Sequence, residues 1–205
     1  MKILNLYAGI GGNRKLWGDE HEVVAVESDP EIAKVYKSFF PQDEVIVSDA
    51  HHFLQHTYWT FDFIWSSPPC QSHSSIRFNR AVKYLGSNPI YPDLRLYEEI
   101  IFLQNYYEGL WVVENVVPYY KPLIPAQKIN RHLYWSNFEI TDLPMKPENL
   151  RAIQIPQLQE LHGFDLSGHK LKNKRQVLRN CVSPEVGLHI LKLAEGVMDG
   201  HRVTR

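Results

Sequence analysis

The sequence predicts an α/β fold: a mostly parallel central sheet with helices packed on both of its faces. Three observations carry this. Five short apolar or β-branched runs punctuate the first 116 residues, helical patterns lie between them, and polar or glycine residues stand at or just past the end of each run. Parallel sheets bury both faces, so their strands read as near-continuous apolar runs. They also collect ligands beyond the carboxyl ends of those strands.

The runs are Lys2–Tyr7, Val23–Ser28, Val45–Ala50, Phe61–Ser67 and Trp111–Val116. Each is short enough to be a buried strand rather than a helix. Between the second and third, Asp29 is placed to cap a helix with Pro30 at its first position, and Ile32, Val35, Tyr36 and Phe39 then form one apolar stripe. A second helix is predicted from Asp93 through about Tyr107, with Leu94, Tyr97, Ile101 and Gln104 at helical spacing. There is no internal repeat and no low-complexity segment.

A chain of 205 residues is one domain's worth. With 44% hydrophobic and 22% charged residues it is neither disordered nor fibrous. No apolar run is long enough for a transmembrane helix, and Met1 to Gly12 does not read as a signal peptide. Two cysteines, Cys70 and Cys181, argue against a disulfide scaffold and for a reducing compartment. A cytoplasmic protein is therefore expected. Ten histidines without paired metal-ligand spacing give no metal site, and His51-His52 reads as a surface pair. Net charge is −1, but residues 1–120 carry a balance of −6 and residues 121–205 one of +5. A polyanion-binding face gives such asymmetry; so does a solvated one.

The strand ends hold the chemistry. Tyr7-Ala8-Gly9-Ile10-Gly11-Gly12 follows the first, where glycines let the backbone approach a ligand, although a plain strand–helix turn uses them too. The spacing is neither a dinucleotide fingerprint nor a P-loop. Glu27, ending the second strand, is placed to accept from both ribose hydroxyls of a nucleoside cofactor. Asp49, ending the third, suits an exocyclic amine or a helix cap. Cys70 follows two prolines and precedes the polar run Gln71 to Ser75, which places it at a site mouth; reactivity would require a lowered thiol pKa. Cys181 reads as packed. Glu114-Asn115 ends an apolar strand, where burial should raise a carboxyl pKa until it can donate a proton to a ring nitrogen.

Taken together these residues resemble the DNA (cytosine-5) methyltransferases that depend on S-adenosylmethionine. The resemblance runs in order through the glycine turn, Glu27, Asp49, Pro69-Cys70-Gln71, Glu114-Asn115-Val116, Gln127 to Arg131, Gln159-Glu160-Leu161-His162-Gly163-Phe164, and Asn180 to Pro184, nearly the whole chain. It implies a Rossmann-like methyltransferase fold in a single catalytic domain over residues 1–205. Cys70 would then attack C6 of a flipped cytosine in double-stranded DNA, Glu114 would hydrogen-bond or protonate N3, Asn115 would fix Glu114, and Arg131 would steady the base. The cofactor, S-adenosylmethionine, would lie against Tyr7, Gly9, Ile10, Gly11, Gly12, Glu27, Ser28, Asp49, Ala50 and Pro69, with Asn180, Cys181 and Val182 completing the pocket. Residues 71–92 would form a mobile loop closing on DNA through Gln71, Ser72, Ser74, Arg77, Arg80 and Lys83. The basic stretch Lys170, Lys172, Lys174, Arg175 and Arg179 offers backbone contacts, or is a solvated loop.

Three departures stand out. Ile129 occupies a position where the family carries an arginine, and Arg179 precedes Asn180 where it carries glycine. Only residues 138–152 stand in place of the family's target-recognition domain, too few to fold alone. Direct readout needs an element in a groove, so short or relaxed sequence context is expected, or a protein partner or self-association that supplies recognition. Small size points to a prokaryotic or phage source, in restriction–modification or host-defence evasion. Two other readings stand beside this one: a non-catalytic accessory subunit, and the same chemistry on RNA, although the Cys-Phe-Thr tripeptide of the tRNA-methylating branch is absent.

Overall fold

The computed structural model describes residues 1–82, 88–145 and 153–203. The strands are β1 (Lys2–Leu6), β2 (Glu22–Glu27), β3 (Glu44–Val47), β4 (Phe63–Ser66), β5 (Leu110–Val116), β6 (Gln127–Ile129) and β7 (His132–Ser136). They form one sheet in the order β3-β2-β1-β4-β5-β7-β6. The first five are parallel and β7 and β6 are antiparallel additions, so all five predicted strands are present. Chain direction along the sheet reverses between β1 and β4, the switch point where such sheets place ligands.

The helices are α1 (Pro30–Phe39), α2 (Ala50–Thr57), α3 (Ser75–Val82), α4 (Arg95–Tyr106), α5 (Ile155–His162), α6 (Lys174–Arg179) and α7 (Pro184–Val203). Asp29 caps α1 as expected, accepting from the Glu31 and Ile32 amides at 2.8 and 3.4 Å. Asp49 caps α2 in the same way through the His52 amide at 2.9 Å. Helix α4 differs from its predicted stripe. Tyr97 is buried as expected, but Leu94 and Ile101 are exposed, and the rest of the apolar buried face is Leu96, Ile100 and Leu103, an i, i+4, i+7 set.

Side chains alternate across the sheet. Leu4, Leu6, Ile64, Trp111 and Val113 pack under α2 and α4, while Ile3, Phe63, Trp65 and Val112 face α7. A third apolar cluster joins Ala25 to α1, α5 and α6 through Tyr36, Phe164 and Leu178. Helix α7 lies so close to the turn after β1 that a methyl on Gly187 would sit 2.2 Å from the Asn13 carbonyl oxygen. No helix among the described residues is long and apolar enough to cross a membrane.

Below that turn is a buried charge pair. Arg14 donates to both oxygens of Asp43 at 2.9 and 3.0 Å, and the Tyr36 hydroxyl adds a third bond at 2.7 Å. Asp43 is 1% exposed and Arg14 2%. Removing one partner strands a charge in an apolar layer. Asp43→Ala is expected to cost about 3–5 kcal/mol in urea unfolding, and far less when combined with Arg14→Met.

Candidate active site

The turn after β1 is built from left-handed backbone: Tyr7 has φ 55°, Gly9 56° and Gly11 87°. Such values come cheaply to glycine and cost a tyrosine about 1 kcal/mol or more. A methyl on Gly9 would meet nothing within 4 Å, so this face of the turn is open. Gly12 is the opposite case, since a methyl there would lie 2.6 Å from the Val182 carbonyl oxygen and 2.8 Å from Cys181 Cβ. The C-terminal segment thus closes directly on the glycine turn through Cys181 and Val182. Asn180 ends α6 with its side chain exposed.

Glu27 is anchored rather than dangling. One carboxylate oxygen accepts from the Gly9 amide at 3.0 Å, the other from the Asp29 amide at 2.9 Å and the Ser28 hydroxyl at 3.4 Å. The oxygen facing Gly9 keeps a lone pair for a further donor. Asp49 stays exposed on the rim, 3.9 Å from Arg95, with Ala50 buried behind it and Pro69 exposed at the far side. An open turn flanked by two acceptors suits a nucleoside with ribose hydroxyls and an exocyclic amine, so the residues fit the predicted cofactor.

Cys70 follows β4, and its carbonyl accepts from the His73 and Ser74 amides, both at 3.1 Å. The thiol is half-buried. Contrary to expectation its pKa is not lowered but pushed up to about 11, because burial disfavours the thiolate and Glu114 adds a repelling charge. Arg131 pulls it partway back. Glu114 behaves as predicted: burial lifts its carboxyl to about 7, against the Ser67 hydroxyl and Arg131, which favour the charged form. His132 Nε2 lies 3.5 Å from Glu114. Burial, then Arg131, drives His132 down to about 3, so the imidazole is uncharged near neutral pH and the contact is not an ion pair. Asn115 is a brace: its Nδ2 donates to the Pro68 carbonyl at 2.9 Å, tying β5 to the Cys70 segment. Arg131 sits on the tight β6–β7 turn, where Asn130 takes a left-handed φ of 54°. Ile129 is buried among Phe138, Ile140 and Val186.

The segment after Cys70 is partly helical. Ser74 bridges to Pro118, Phe78 stacks on Tyr119 at 4.6 Å, and Ser72 accepts from the Asp93 amide at 3.0 Å. His73, predicted in an exposed polar run, is 1% exposed and meets the Tyr120 hydroxyl at 2.5 Å. Gln71 is exposed, while Arg77 reaches the Asn88 carbonyl at 3.4 Å. The Arg80 side chain, Lys83 and residues 146–152 lie outside the described residues. In the basic stretch, Lys174 donates to the Leu166 carbonyl at 2.6 Å and Arg175 to that of Ile153 at 3.3 Å. Both serve local structure, unlike the exposed Lys170 and Lys172. Cys181 is packed, with its thiol facing the Val177 carbonyl and its pKa pushed by burial up to about 12.

The sequence reading missed Ser67 and His132 beside Glu114, whose only signal was adjacency to known elements. It also misjudged His51, which turns inward to Glu99 at 3.0 Å while His52 stacks on His56. Among the described residues no group of three His, Cys, Asp or Glu could hold a metal ion.

A doubly wound sheet with a glycine turn at its switch point and an acid ending β2 defines the Rossmann-like methyltransferase class. The structure of the Entamoeba histolytica methyltransferase EhMeth matches with a TM-score of 0.58 at 13% identity, covering 97% of this chain and 98% of that one, a likeness of fold. Residues 1–88, which include the glycine turn and Cys70, match the C-5 cytosine-specific DNA methylase family. S-adenosylmethionine is the cofactor that this match implies. A tRNA (cytosine(38)-C(5))-methyltransferase of Spodoptera frugiperda is 37% identical over 93 residues, 42% of this chain. The match spans about a quarter of that relative, 26% of its length.

Glu114 also sets a pH dependence. Its folded pKa lies above the ordinary carboxyl value of 4.5, so the native state binds the extra proton and stability falls as pH rises from 4.5 through about 7. Glu114→Gln is expected to be more stable than the parent at pH 8 by up to roughly 3 kcal/mol, and no more stable at pH 4. Chemical unfolding at the two pH values checks this.

Proposed function

We propose that this chain is a cytosine-5 methyltransferase acting on DNA, with S-adenosylmethionine as methyl donor, in a single catalytic domain. The observation that supports it most directly is the pairing of Cys70 with Glu114, near enough for the carboxylate to perturb the thiol, with the Arg131 charge reaching both. Cys70 Sγ forms a bond to C6 of a cytosine turned out of the helix, and its proton leaves to a base as the target docks. Glu114, which holds a proton near neutral pH, donates it to N3 as electron density builds on the ring. Asn115 keeps the two groups in register through Pro68. The bound cofactor supplies an electrophilic methyl group to C5. Loss of the C5 proton to a base then breaks the C6–S bond and restores Cys70.

The thiol pKa of about 11 favours attack coupled to docking over a standing thiolate. Among the described residues Lys174 and Arg175 are engaged locally, and no target-recognition domain is legible in residues 138–152. Short sequence context, or recognition supplied by a partner or second copy, follows from this. RNA is the second reading, favoured by the relative named for tRNA cytosine.

Transfer of tritium from labelled S-adenosylmethionine to duplex DNA, single-stranded DNA and tRNA separates these readings. Label in duplex DNA is expected, and Cys70→Ala should reduce it by at least about 10³-fold. Label confined to tRNA would replace the substrate. Cofactor binding without transfer to any of the three would point to an accessory subunit.

A further inference from the structure

Beneath the glycine turn lies a buried carboxyl that the reaction does not use. Glu99, on α4, is 0% exposed and accepts three hydrogen bonds from three different elements. The Tyr7 hydroxyl donates at 2.5 Å from the turn after β1, and the Ser66 hydroxyl at 2.6 Å from the end of β4. His51 Nδ1 donates at 3.0 Å from the first turn of α2. His51 Nε2 in turn faces Glu98 at 3.4 Å, and Arg95 on the same helix lies 3.9 Å from Asp49. A carboxyl this deep is costly unless its oxygens are satisfied, and here each oxygen has a donor. Those donors come from the structural surroundings of the candidate cofactor pocket: its turn, the strand leading to Cys70, and the helix that begins at Asp49.

We infer that Glu99 is a positioning residue for the cofactor turn, acting through Tyr7. Tyr7 is one of two described residues other than glycine with a positive φ. That conformation is disfavoured for a side chain of its size, so something must hold it. The hydroxyl bond to Glu99 does so, pinning the ring against the core and leaving the backbone of Gly9 to Gly12 facing the pocket. Glu99 touches neither reacting atom. It fixes the shape of the surface on which the cofactor lies. This rests on the proposed function, and it gives α4 a role beyond covering the sheet.

The test is S-adenosylmethionine affinity by titration calorimetry on the full chain, for Tyr7→Phe, Glu99→Gln and the double variant, each with its thermal midpoint. Each single change should weaken binding about tenfold. The double should be no weaker than the worse single by more than about twofold, because both remove one coupling. In turnover the cofactor KM should rise by the same factor while kcat moves less. Unchanged affinity in Tyr7→Phe, or fully additive losses, overturns the inference even if both variants are less stable. Tyr7→Phe removes a single oxygen and decides the matter if Glu99→Gln does not fold. Failure of the parent chain to bind S-adenosylmethionine would sink the proposed function and this inference together, whereas a binding parent with an unaffected Tyr7→Phe sinks this inference alone.

Discussion

The hydrogen bond from Asn115 to the Pro68 carbonyl is the constraint on which the candidate site depends. Cys70 stands on a loop and Glu114 on a strand, and nothing in ordinary sheet pairing fixes the distance between a strand and the loop leaving its neighbour. Strands β4 and β5 pair in parallel up to Ser66 and Val113. Beyond that point the chain following β4 would be free to splay. The Asn115 amide closes the gap, and its carbonyl oxygen accepts from the Val116 amide at 3.0 Å, so the side chain is held at both ends. Two prolines then carry a stiffened backbone from that anchor to the thiol.

Within this frame the electrostatics are divided among three groups. Burial makes both the thiol and the carboxyl prefer their protonated forms, and Arg131 opposes it at each. An acid raised toward neutrality is a useful proton donor, while a thiol raised to about 11 is an inert one. Cys70 therefore rests as a thiol in the free protein. Among the described residues Arg131 is the cation whose effect is felt at both groups and at Cys181.

Much of this was legible in the residues. The five strands announced themselves because parallel strands must be apolar on both faces, and the groups at their ends were conspicuous against those runs. The α1 cap was legible because aspartate followed by proline has few other uses. Other features were hidden for physical reasons. The stripe on α4 was misread because its helix carries apolar residues on more than one face, and only the position of β5 decides that Leu96, Ile100 and Leu103 turn inward. His51 looked like half of a surface pair because its partner, Glu99, is 48 residues away. The thiol pKa could not be read from neighbours in sequence, since depth of burial sets it. Asp49 caps α2, the one of its two readings that the fold alone can show, and stays exposed on the rim.

The burial of Ile129 has a wider meaning. The β6–β7 hairpin is short, and its outer strand has three residues. What steadies it is apolar packing of Ile129 and Tyr134 against Val186 and Ile190 on α7. Arg131 rides at the tip of that hairpin. A helix of 20 residues, bearing none of the candidate site residues, thereby helps to set where a positive charge sits relative to the Cys70 thiol, more than a hundred residues earlier. Mechanical stiffness at one edge of the sheet is converted into a fixed electric field at its centre.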